Sequence, residues 1–243
     1  MTKIERFEAI GRVLFWGKKK TLVVGDMHLG YEEYLAERGI AVPRSLVGET
    51  IEDLRKIFAK TGKLKEVVLL GDVKHYYAGI LSSEFSDVKK IFKLIRENLI
   101  EDGKIIIVKG NHDASLEPIT REIRGVELVD RYVLDDVMFL HGNKDSIKKA
   151  GLELYDKKIK LIVVGHIHPA VYLREDEKVE KYKCFVYGKW KRKKFIVVPS
   201  FFSLVEGLDI SENHKVDDFD FSDFRAFLVA DRVYDFGKIS RLG

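Results

Sequence analysis

Short apolar runs recur along this chain, and each one ends abruptly in a cluster of polar residues. The runs occupy residues 22–24, 67–70, 105–108, 137–140 and 161–164. Within two residues of each run stands a glycine, and histidine, aspartate or asparagine lies beside it. Runs of about four aliphatic residues without alternation are typical of strands buried on both faces. We therefore expect polar side chains at the carboxyl ends of buried strands, the edge where open α/β sheets bind their ligands.

Two amphipathic helices are predicted between the first three of these strands. One has apolar residues at three- and four-residue steps from Val47 to Phe58 and ends near Gly62. The other is predicted over residues 85–99 by the same spacing, and a weaker helix fits residues 146–154.

The remaining segments are predicted to be mostly β-structure. Two or three closely spaced strands are expected over residues 126–140. A strand beginning at Val171 is followed by a turn over residues 188–194 and by a strand over residues 195–199. The last strand is expected over residues 224–233.

Neither a repeat, a linker nor a low-complexity tract interrupts the chain, so we expect a single domain over residues 1–243. Its motif-bearing part covers residues 20–170, and a β-rich part covers residues 171–243. The alternation of strands and helices favours an α/β fold built on a two-layered sheet.

Composition excludes several classes of protein. The chain has 243 residues, is 46% apolar and carries a net charge of +4, which is too apolar and too weakly charged for a disordered chain. It lacks an apolar run long enough for a membrane helix, and its first residues do not resemble a signal peptide. With one cysteine, Cys184, it has no disulfide scaffold, so we expect a cytoplasmic protein with no membrane partner. The absence of glutamine beside abundant Lys and Glu resembles the composition of thermophile proteins.

The predicted strand ends carry an unusual number of metal-binding groups. Six of the seven histidines lie within five residues of such an end. The full set of donors is Asp26, His28, Asp72, Asn111, His141, His166 and His168. Histidine and carboxylate donors without thiolates suit Mn, Fe, Zn or Co rather than a structural zinc site. Seven donors exceed what one tetrahedral ion uses, whereas two ions that share a bridging carboxylate would use them all.

Alternation gives the donors a predicted direction. Because successive side chains of an extended segment point to opposite sides, Asp26 and His28 are expected to point the same way, as are His166 and His168. Other chemistries lack their motifs, since the chain has no Walker loop, no dinucleotide-binding glycine motif and no nucleophile elbow. Cys184 has no neighbouring histidine to act as its base, so a packed thiol is expected.

The motifs resemble the signature of the calcineurin-like metallophosphoesterase superfamily. In the order of the family they are Asp26-Met27-His28, Gly71-Asp72, Gly110-Asn111-His112-Asp113, His141 and Gly165-His166-Ile167-His168. The resemblance implies a two-layered β-sheet sandwich flanked by helices. His75 stands where the common form of the second motif has aspartate. In this the chain resembles the short branch of SbcD-related and ligase-associated phosphoesterases.

The resemblance also implies a role for each residue of the motifs. One metal ion would be held by Asp26, His28, Asp72 and His168. The other would be held by Asp72, Asn111, His141 and His166, with Asp72 as the bridge. His112 would act on the phosphate or the leaving group and would be oriented by Asp113, and His75 would be a second imidazole near the phosphate. Manganese is the expected metal of both sites, with Fe, Zn, Co and Ni as alternatives.

These groups match the demands of phosphodiester hydrolysis. Two cations roughly 3.5–4 Å apart clamp phosphate oxygens and lower the pKa of a bridging water to near neutral, and a protonated imidazole donates to the departing oxygen. We therefore expect a phosphoesterase that hydrolyses phosphodiester bonds of nucleic acid through a metal-bridging hydroxide, in the manner of a DNA-repair nuclease. Two alternatives stay open: an enzyme acting on a small nucleotide or other small phosphoester, and an inactive scaffold of this fold. A homo-oligomer and a DNA-repair protein as partner also stay open.

A basic run provides a candidate nucleic-acid contact. It consists of Lys189, Trp190, Lys191, Arg192 and Lys193, followed by Lys194. Because its strands begin shortly after His168, the run is expected to overhang the metal-binding edge. Trp190 either stacks on a base or folds back onto its own hairpin, and the sequence favours neither. The acidic stretch over residues 206–224 has no assigned role.

Overall fold

The strands of this protein form two sheets that pack face to face, with helices on their outer faces. The computed structural model describes residues 2–40, 42, 45–77, 82–175, 178–204 and 206–241. None of the helices in these ranges is long and apolar enough to cross a membrane. The prediction of a two-layered sandwich flanked by helices is confirmed.

The first sheet begins with antiparallel strands and continues with parallel ones. Its strands, in spatial order, are β1 (Thr2–Ile4), β2 (Phe7–Ile10), β3 (Val13–Trp16), β4 (Thr21–Val24), β5 (Leu64–Leu69), β6 (Leu99–Val108) and β7 (Val126–Val129). Pairing is antiparallel up to β4 and parallel from β4 to β7. The sequence did not predict β1 to β3, which are short and joined by turns at Glu5 and Gly11, both with positive φ.

The second sheet is mixed and contains most of the C-terminal part of the chain. Its strands, in spatial order, are β14 (Leu208–Asp209), β11 (Pro169–Glu175), β12 (Lys178–Trp190), β13 (Lys193–Val197), β10 (Leu161–Val164), β9 (Val137–Leu140) and β8 (Tyr132–Leu134). Strand β17 (Arg225–Val229) also pairs with β12, and β18 (Val233–Lys238) pairs with β17. A separate small hairpin joins β15 (Lys215–Val216) and β16 (Phe219–Asp220).

Two predictions about these strands are wrong in detail. The turn expected over residues 188–194 is confined to Lys191 and Arg192, whose φ angles of 46° and 66° make a two-residue hairpin turn. The strand expected over residues 224–233 is the pair β17 and β18, because the chain reverses between them and both strands are too short to separate by composition.

The helices connect the strands and cover the sheets. They are α1 (Tyr31–Glu37), α2 (Leu46–Thr61), α3 (Ser82–Glu97), α4 (Glu117–Arg121) and α5 (Lys144–Ala150), with 3-10 turns over Gly17–Lys19, Gly151–Tyr155 and Ile239–Arg241. The helix predicted to end near Gly62 is α2, for which Gly62 is the C-cap. The helix predicted over residues 146–154 is α5 followed by a 3-10 turn.

Side-chain alternation along the parallel strands divides the interior into three apolar layers. In β4, Val23 faces the layer between the sheets, whereas Leu22 and Val24 face the layer under α2 and α3. In β10, Val163 faces the layer between the sheets and Ile162 faces the layer under α5. Both faces of these strands are therefore buried, which explains why their apolar runs show no alternation in the sequence.

Candidate metal centre and active site

All seven predicted metal ligands meet at one edge of the sandwich. Asp26, Asp72 and Asn111 follow β4, β5 and β6 of the first sheet, while His141 follows β9 of the second. His28 belongs to the loop after β4, and His166 and His168 to the loop after β10. The carboxyl ends of the parallel strands of both sheets thus adjoin, and donors from one sheet face donors from the other.

The backbone of this edge is left-handed at four of the seven donors. The φ angles are 45° at His28, 46° at Asp72, 63° at His166 and 48° at His168. Such conformations cost of order 1–3 kcal/mol each outside glycine and cluster at functional sites. The expectation of an extended segment with simple alternation is therefore wrong, although both members of each pair still face the site. Polar contacts hold the turns, since His28 N donates to Asp72 O and His166 N to Asp26 Oδ1, both at 2.9 Å.

The first cluster consists of Asp26, His28 and His168. Their ligand atoms lie within 4.8 Å of one another. His168 Nε2 approaches Asp26 Oδ2 to 3.0 Å, yet both atoms are buried without a hydrogen-bond partner in the described part of the chain. Burial lowers the pKa of His28 to about 3, so its ring is neutral and able to bind a cation.

The second cluster consists of Asp72, His141 and His166, with Asn111 beside them. The three ionisable groups again lie within 4.8 Å of one another. His141 Nδ1 donates to Leu70 O at 2.7 Å, which directs Nε2 at Asn111 Oδ1 at 3.0 Å and Asp72 Oδ2 at 3.5 Å. Three lone-pair acceptors that point at each other need a cation between them, either a proton on His141 or a metal ion.

The pKa shifts of the buried groups also indicate that positive charge is stabilised between the two clusters. Burial lowers the pKa of the His141 ring, but its hydrogen bond to Asp72 and the charge of Asp26 raise it to about 9. Burial acts on Asp26 in the opposite direction and raises the pKa of its carboxyl group. The neighbouring rings of His168, His141 and His28 outweigh this effect and hold the pKa of Asp26 below its usual value. The ionised carboxylates and convergent imidazoles therefore fit divalent cations.

Asp72 lies between the two clusters. Its Oδ2 atom is 4.0 Å from His28 Nε2 of the first cluster and 3.5 Å from His141 Nε2 of the second. Its Oδ1 atom accepts a hydrogen bond from His112 N at 2.9 Å. One carboxylate oxygen is thus within reach of ligands from both clusters, which is the position that a bridging ligand requires.

The glycines of the motifs make room for the carboxylates. A Cβ atom on Gly110 would lie 2.2 Å from Asp72 Oδ1, and one on Gly165 would lie 2.5 Å from Asp26 Oδ1. Both distances are far below van der Waals contact. The glycine of one motif is therefore required by the carboxylate of another motif, which explains why each glycine stands where it does in the sequence.

His112 lies at the rim of the site with its ring held by the backbone of His75. His112 Nδ1 donates to the His75 carbonyl oxygen, and the two rings stack at 5.1 Å between centroids. His112 Nε2 is then directed at the clusters, 4.0 Å from Asp72 Oδ2. His75 itself lies against His28, with 3.4 Å between their Nδ1 atoms, and burial lowers the pKa of its ring to about 4.

Asp113 does not orient the His112 ring, so that prediction is wrong. Its oxygens accept hydrogen bonds from Val73 N at 3.0 Å and Gly110 N at 2.9 Å, in a fully buried position beneath the loop. Consecutive residues of a turn point in different directions, and Asp113 therefore points away from the ring that precedes it. Burial raises the pKa of Asp113 to about 6, and the charge of Asp72 adds to this shift. Its contribution is to the backbone of the site.

Several residues at the site were not predicted from the sequence. Tyr31 and Tyr34 of α1 contact the His75 ring at 4.4 and 4.7 Å between centroids. Glu84 of α3 is fully buried and accepts hydrogen bonds from His75 N at 3.2 Å and Tyr76 N at 2.6 Å. The only sequence signal for the tyrosines is their three-residue spacing directly after the first motif, and a glutamate at a helix start is ordinarily a dipole-compensating residue.

A cavity of about 300 Å³ opens beside the second cluster. Asn111 lines it together with Tyr77, Lys109, Asn143 and Ser146. The Tyr77 ring is 64% exposed and approaches His112 edge-on at 5.6 Å. The cavity therefore adjoins the second cluster through Asn111.

The basic run does not overhang this edge, contrary to the expectation from the sequence. Lys194 pairs with Leu161, the first residue of β10, whereas the metal-binding loop follows the last residue, Val164. The run therefore lies at the opposite edge of the sheet, about 13 Å away at roughly 3.3 Å per strand residue. Trp190 folds back onto Phe195 and Phe219, at 5.3 and 5.1 Å between ring centroids.

Comparison with known proteins agrees with the motifs and the fold. The sequence profile of the calcineurin-like phosphoesterase superfamily domain matches residues 20–202. The chain belongs to this superfamily. The family is one of metal-dependent phosphoesterases, and the His and Asp clusters of this chain are suited to bind metal. None of the proteins of curated function matches the chain significantly.

Comparison with solved structures gives one likeness of fold among the three described here. A nuclease named MPE from Pseudomonas putida is 18% identical, with a TM-score of 0.63 over 95% of this chain and all of that one. An archaeal phosphodiesterase is 13% identical, with a TM-score of 0.42 over 84% of this chain and 98% of that one. A Vps29 mutant from Entamoeba histolytica is 16% identical, with a TM-score of 0.36 over 89% and 99%. At these identities the likeness to the nuclease shows the fold alone.

Proposed function

We propose that this chain is a two-metal phosphodiesterase that acts on nucleic acid. The observation that supports this most strongly is the position of Asp72, whose Oδ2 atom lies between two clusters of imidazole and carboxylate donors. Two cations that share a carboxylate suit in-line displacement at phosphorus. A site for a single structural ion would leave three or four of these donors unused.

The donors divide between two ions according to the two clusters. Asp26, His28, Asp72 and His168 would hold one ion. Asp72, Asn111, His141 and His166 would hold the other. Manganese suits this mixture of imidazole and oxygen donors. When bound, such ions neutralise the charge of a phosphate and activate the attacking water.

The residues of the chain have distinct tasks around these ions. The His75 carbonyl accepts from His112 Nδ1, so that His112 Nε2 faces the phosphate and, when protonated, donates to the leaving oxygen. The ring of His75 stacks on His112 and limits its rotation. Glu84 holds the backbone of residues 75 and 76 and is thus a positioning residue for the general acid. Asp113 ties Val73 to Gly110 and so keeps the second and third motifs in register.

The surroundings of the site favour a diester over a phosphomonoester. The cavity beside Asn111 has a volume of about 300 Å³ and is lined by the exposed Tyr77 ring and by Lys109, while its other lysine, Lys149, forms ion pairs with the lining carboxylates Asp130 and Asp145. These groups suit a stacked base and a neighbouring phosphate. The fold is similar to that of the nuclease MPE from Pseudomonas putida, and position 75 is a histidine. Both observations are consistent with a nuclease of the short SbcD-related branch. An inactive scaffold would have no need of the complete donor set together with His112.

Turnover of a panel of substrates tests the proposal. Metal-stripped protein with Mn²⁺ added back is assayed on an aryl phosphodiester, an aryl phosphomonoester, a cyclic nucleotide, and labelled single- and double-stranded oligonucleotides. We expect hydrolysis of the aryl diester and of at least one oligonucleotide, with little on the monoester. Exclusive hydrolysis of the monoester or the cyclic nucleotide would support the small-substrate alternative, and no hydrolysis of any compound would support the scaffold.

A further inference from the structure

The edge of the sandwich opposite the metal centre carries a concentration of positive charge. We call it the cationic pole and define it by residues 5–6, 17–20, 135–136, 155–160 and 189–194. These segments contain twelve Lys and Arg residues and four Asp and Glu residues. The whole chain has a net charge of only +4, so the rest of the protein is net negative. This asymmetry is invisible in the overall composition.

Direct contacts join the five segments into one surface. Lys19 forms an ion pair with Asp135 at 2.6 Å, Arg6 forms one with Asp136, and Lys194 forms one with Glu5 at 2.9 Å. Lys194 N donates to Lys160 O at 3.2 Å in the β10–β13 pairing. Residues 17–20, 135–136 and 155–160 precede β4, β9 and β10, and residues 189–194 contain the turn before β13. The pole therefore lies at the amino ends of the parallel strands of both sheets.

Most of the cations of the pole are not neutralised. Ion pairs engage Arg6, Lys19 and Lys194. The remaining cations form no ion pair within the described ranges, and they are Lys18, Lys20, Lys157, Lys158, Lys160, Lys189, Lys191, Arg192 and Lys193. Lys193 instead donates to the carbonyl oxygens of Asp156 and Ile159, both at 2.7 Å. The other eight are exposed, so like charges repel across this surface until an anion binds.

An exposed aromatic ring lies among these cations. Tyr155 is 59% exposed, and Lys191 Nζ is 5.6 Å from the centre of its ring. Trp190, the aromatic residue singled out in the sequence, is packed against Phe195 and Phe219 and has little surface to offer. An aromatic ring between lysines is the combination with which proteins bind single strands, by stacking on bases and neutralising phosphates.

We propose that the cationic pole binds the phosphate backbone of single-stranded nucleic acid as a surface separate from the metal centre. Nucleic acid is favoured over an anionic membrane because the pole has no continuous apolar face: Leu152 and Tyr155 are exposed beside it, whereas an interfacial helix needs a full apolar side. A strand on the pole is about 13 Å from the metal edge along β10. The pole therefore holds a long substrate without contacting the phosphate that is cleaved, and its binding does not depend on whether the metal centre hydrolyses nucleic acid.

The salt dependence of binding tests the proposal. The pole variant carries Lys157→Ser, Lys158→Ser, Lys191→Ser and Arg192→Ser. The matched control removes the same charge from the exposed faces of α2 and α3 with Lys56→Ser, Lys60→Ser, Lys90→Ser and Lys93→Ser. Binding of a labelled single-stranded 20-mer is measured in chelator across a range of salt. Each phosphate contact contributes about 0.7 to the slope of log affinity against log salt. The slope of the pole variant should therefore be smaller than that of the wild type by up to about 2.8. The control variant should keep the wild-type slope.

A second pair of variants tests the aromatic contact. Tyr155→Ala should weaken binding about 5- to 150-fold, as expected for the loss of one stacked base, and Tyr155→Trp should restore it. Thermal unfolding of each variant shows whether it is folded. Hydrolysis of a small aryl diester should be unchanged in all of them.

Three results would overturn the proposal. A wild-type salt slope in the pole variant would show that the pole is ordinary solvated surface. An equal decrease of the salt slope in the pole and control variants would show that binding of the 20-mer depends on net charge alone. Loss of binding to phosphatidylserine vesicles with unchanged binding of the 20-mer would assign the pole to membranes. If the wild-type protein hydrolyses no phosphodiester but the pole variant loses its salt slope, the proposed function fails and this proposal stands.

Discussion

Among single residues, Asp72 is subject to the most constraints. Its backbone is left-handed, its Oδ1 atom accepts from His112 N, and its Oδ2 atom lies within 4.0 Å of ring nitrogens of His28, His112 and His141. A substitution here changes the positions of several other groups at once. Asp72 is therefore the best residue at which to test the assignment of two metal sites.

Replacement of Asp72 by asparagine should weaken both metal sites. The amide keeps the shape of the side chain but removes the negative charge that both ions share. Elemental analysis after incubation with Mn²⁺ and desalting should give two ions per chain for the wild type and between zero and one for Asp72→Asn. The exposed Asp145→Asn serves as the control and should keep two ions. Two ions retained in Asp72→Asn would contradict a bridging carboxylate.

Replacement of His112 by alanine should retain both ions and lose most of the turnover. General acid catalysis contributes about 10²–10⁴-fold, and the loss should be largest for alkyl leaving groups because these cannot depart without a proton. Turnover and metal content are compared for aryl and alkyl phosphodiesters. His214→Ala, at the one histidine away from the predicted strand ends, should be unaffected. Equal losses for both leaving groups would argue against the role of acid.

At the scale of elements, the sequence predicts best where a strand is buried on both faces. The runs that became β4, β5, β9 and β10 need apolar side chains on either side, so almost any polar residue inside them would be costly. The antiparallel strands β1 and β2 have no such signal, because each has only three or four residues and one of them is charged. Strand β3 is an uninterrupted apolar run, Val13–Trp16, and was not predicted although it carries this signal.

The loops of the site were less predictable than its residues. Residue types and spacing indicate the candidate donors. A φ near +45° cannot be predicted for a histidine or an aspartate, because long-range hydrogen bonds impose it. The resemblance to the family likewise implied Asp113, the next residue along the chain, as the partner that orients His112. The actual partner, the His75 carbonyl, is 37 residues away in the chain.

Helix α3 contributes Glu84, which holds the backbone of His75 and so supports the proposed general acid, His112. Glu84→Ala should lower kcat for phosphodiesters, because the His75 carbonyl loses the backbone contacts that fix it, whereas Glu84→Gln, which still accepts hydrogen bonds, should recover most of the turnover. Steady-state kinetics should show a change in kcat larger than the change in KM. Glu97→Ala, at the other end of α3, is the control. An unchanged kcat in a folded Glu84→Ala protein would refute this positioning role.

At the scale of the whole molecule, the metal centre joins the two sheets. The first sheet contributes Asp26, Asp72 and Asn111, and the second contributes His141 and the two histidines after β10. Below them the sheets share an apolar layer, and polar contacts such as that from the Tyr132 hydroxyl to Glu66 Oε1 at 2.9 Å also join them. Ions bound here would therefore connect the two sheets as well as supplying chemistry. The cationic pole likewise depends on the whole fold, since its segments come from the first 20 residues and from residues 135–194, and no local pattern reveals their assembly.

Added metal should raise the thermal stability of the stripped protein. At a free Mn²⁺ concentration of 100 times Kd, one site that exists only in the folded state adds about 2.7 kcal/mol to the free energy of unfolding. For a chain of this size this corresponds to about 5–10 °C in Tm per site. Differential scanning calorimetry with Mn²⁺ or with chelator measures the difference, and Asp72→Asn should show a much smaller one. An identical Tm in both conditions would mean that the ions do not tie the sheets together.

The proposed two-ion centre is tested most directly by titrating metal-stripped protein with Mn²⁺ at a protein concentration well above Kd. Turnover of an aryl phosphodiester is measured at each point of the titration. If turnover needs both ions, it should stay low up to one equivalent of Mn²⁺, rise steeply beyond that point and reach a plateau at two equivalents. A plateau at one equivalent, or full turnover by the stripped protein, would contradict a centre in which Asp72 joins two ions.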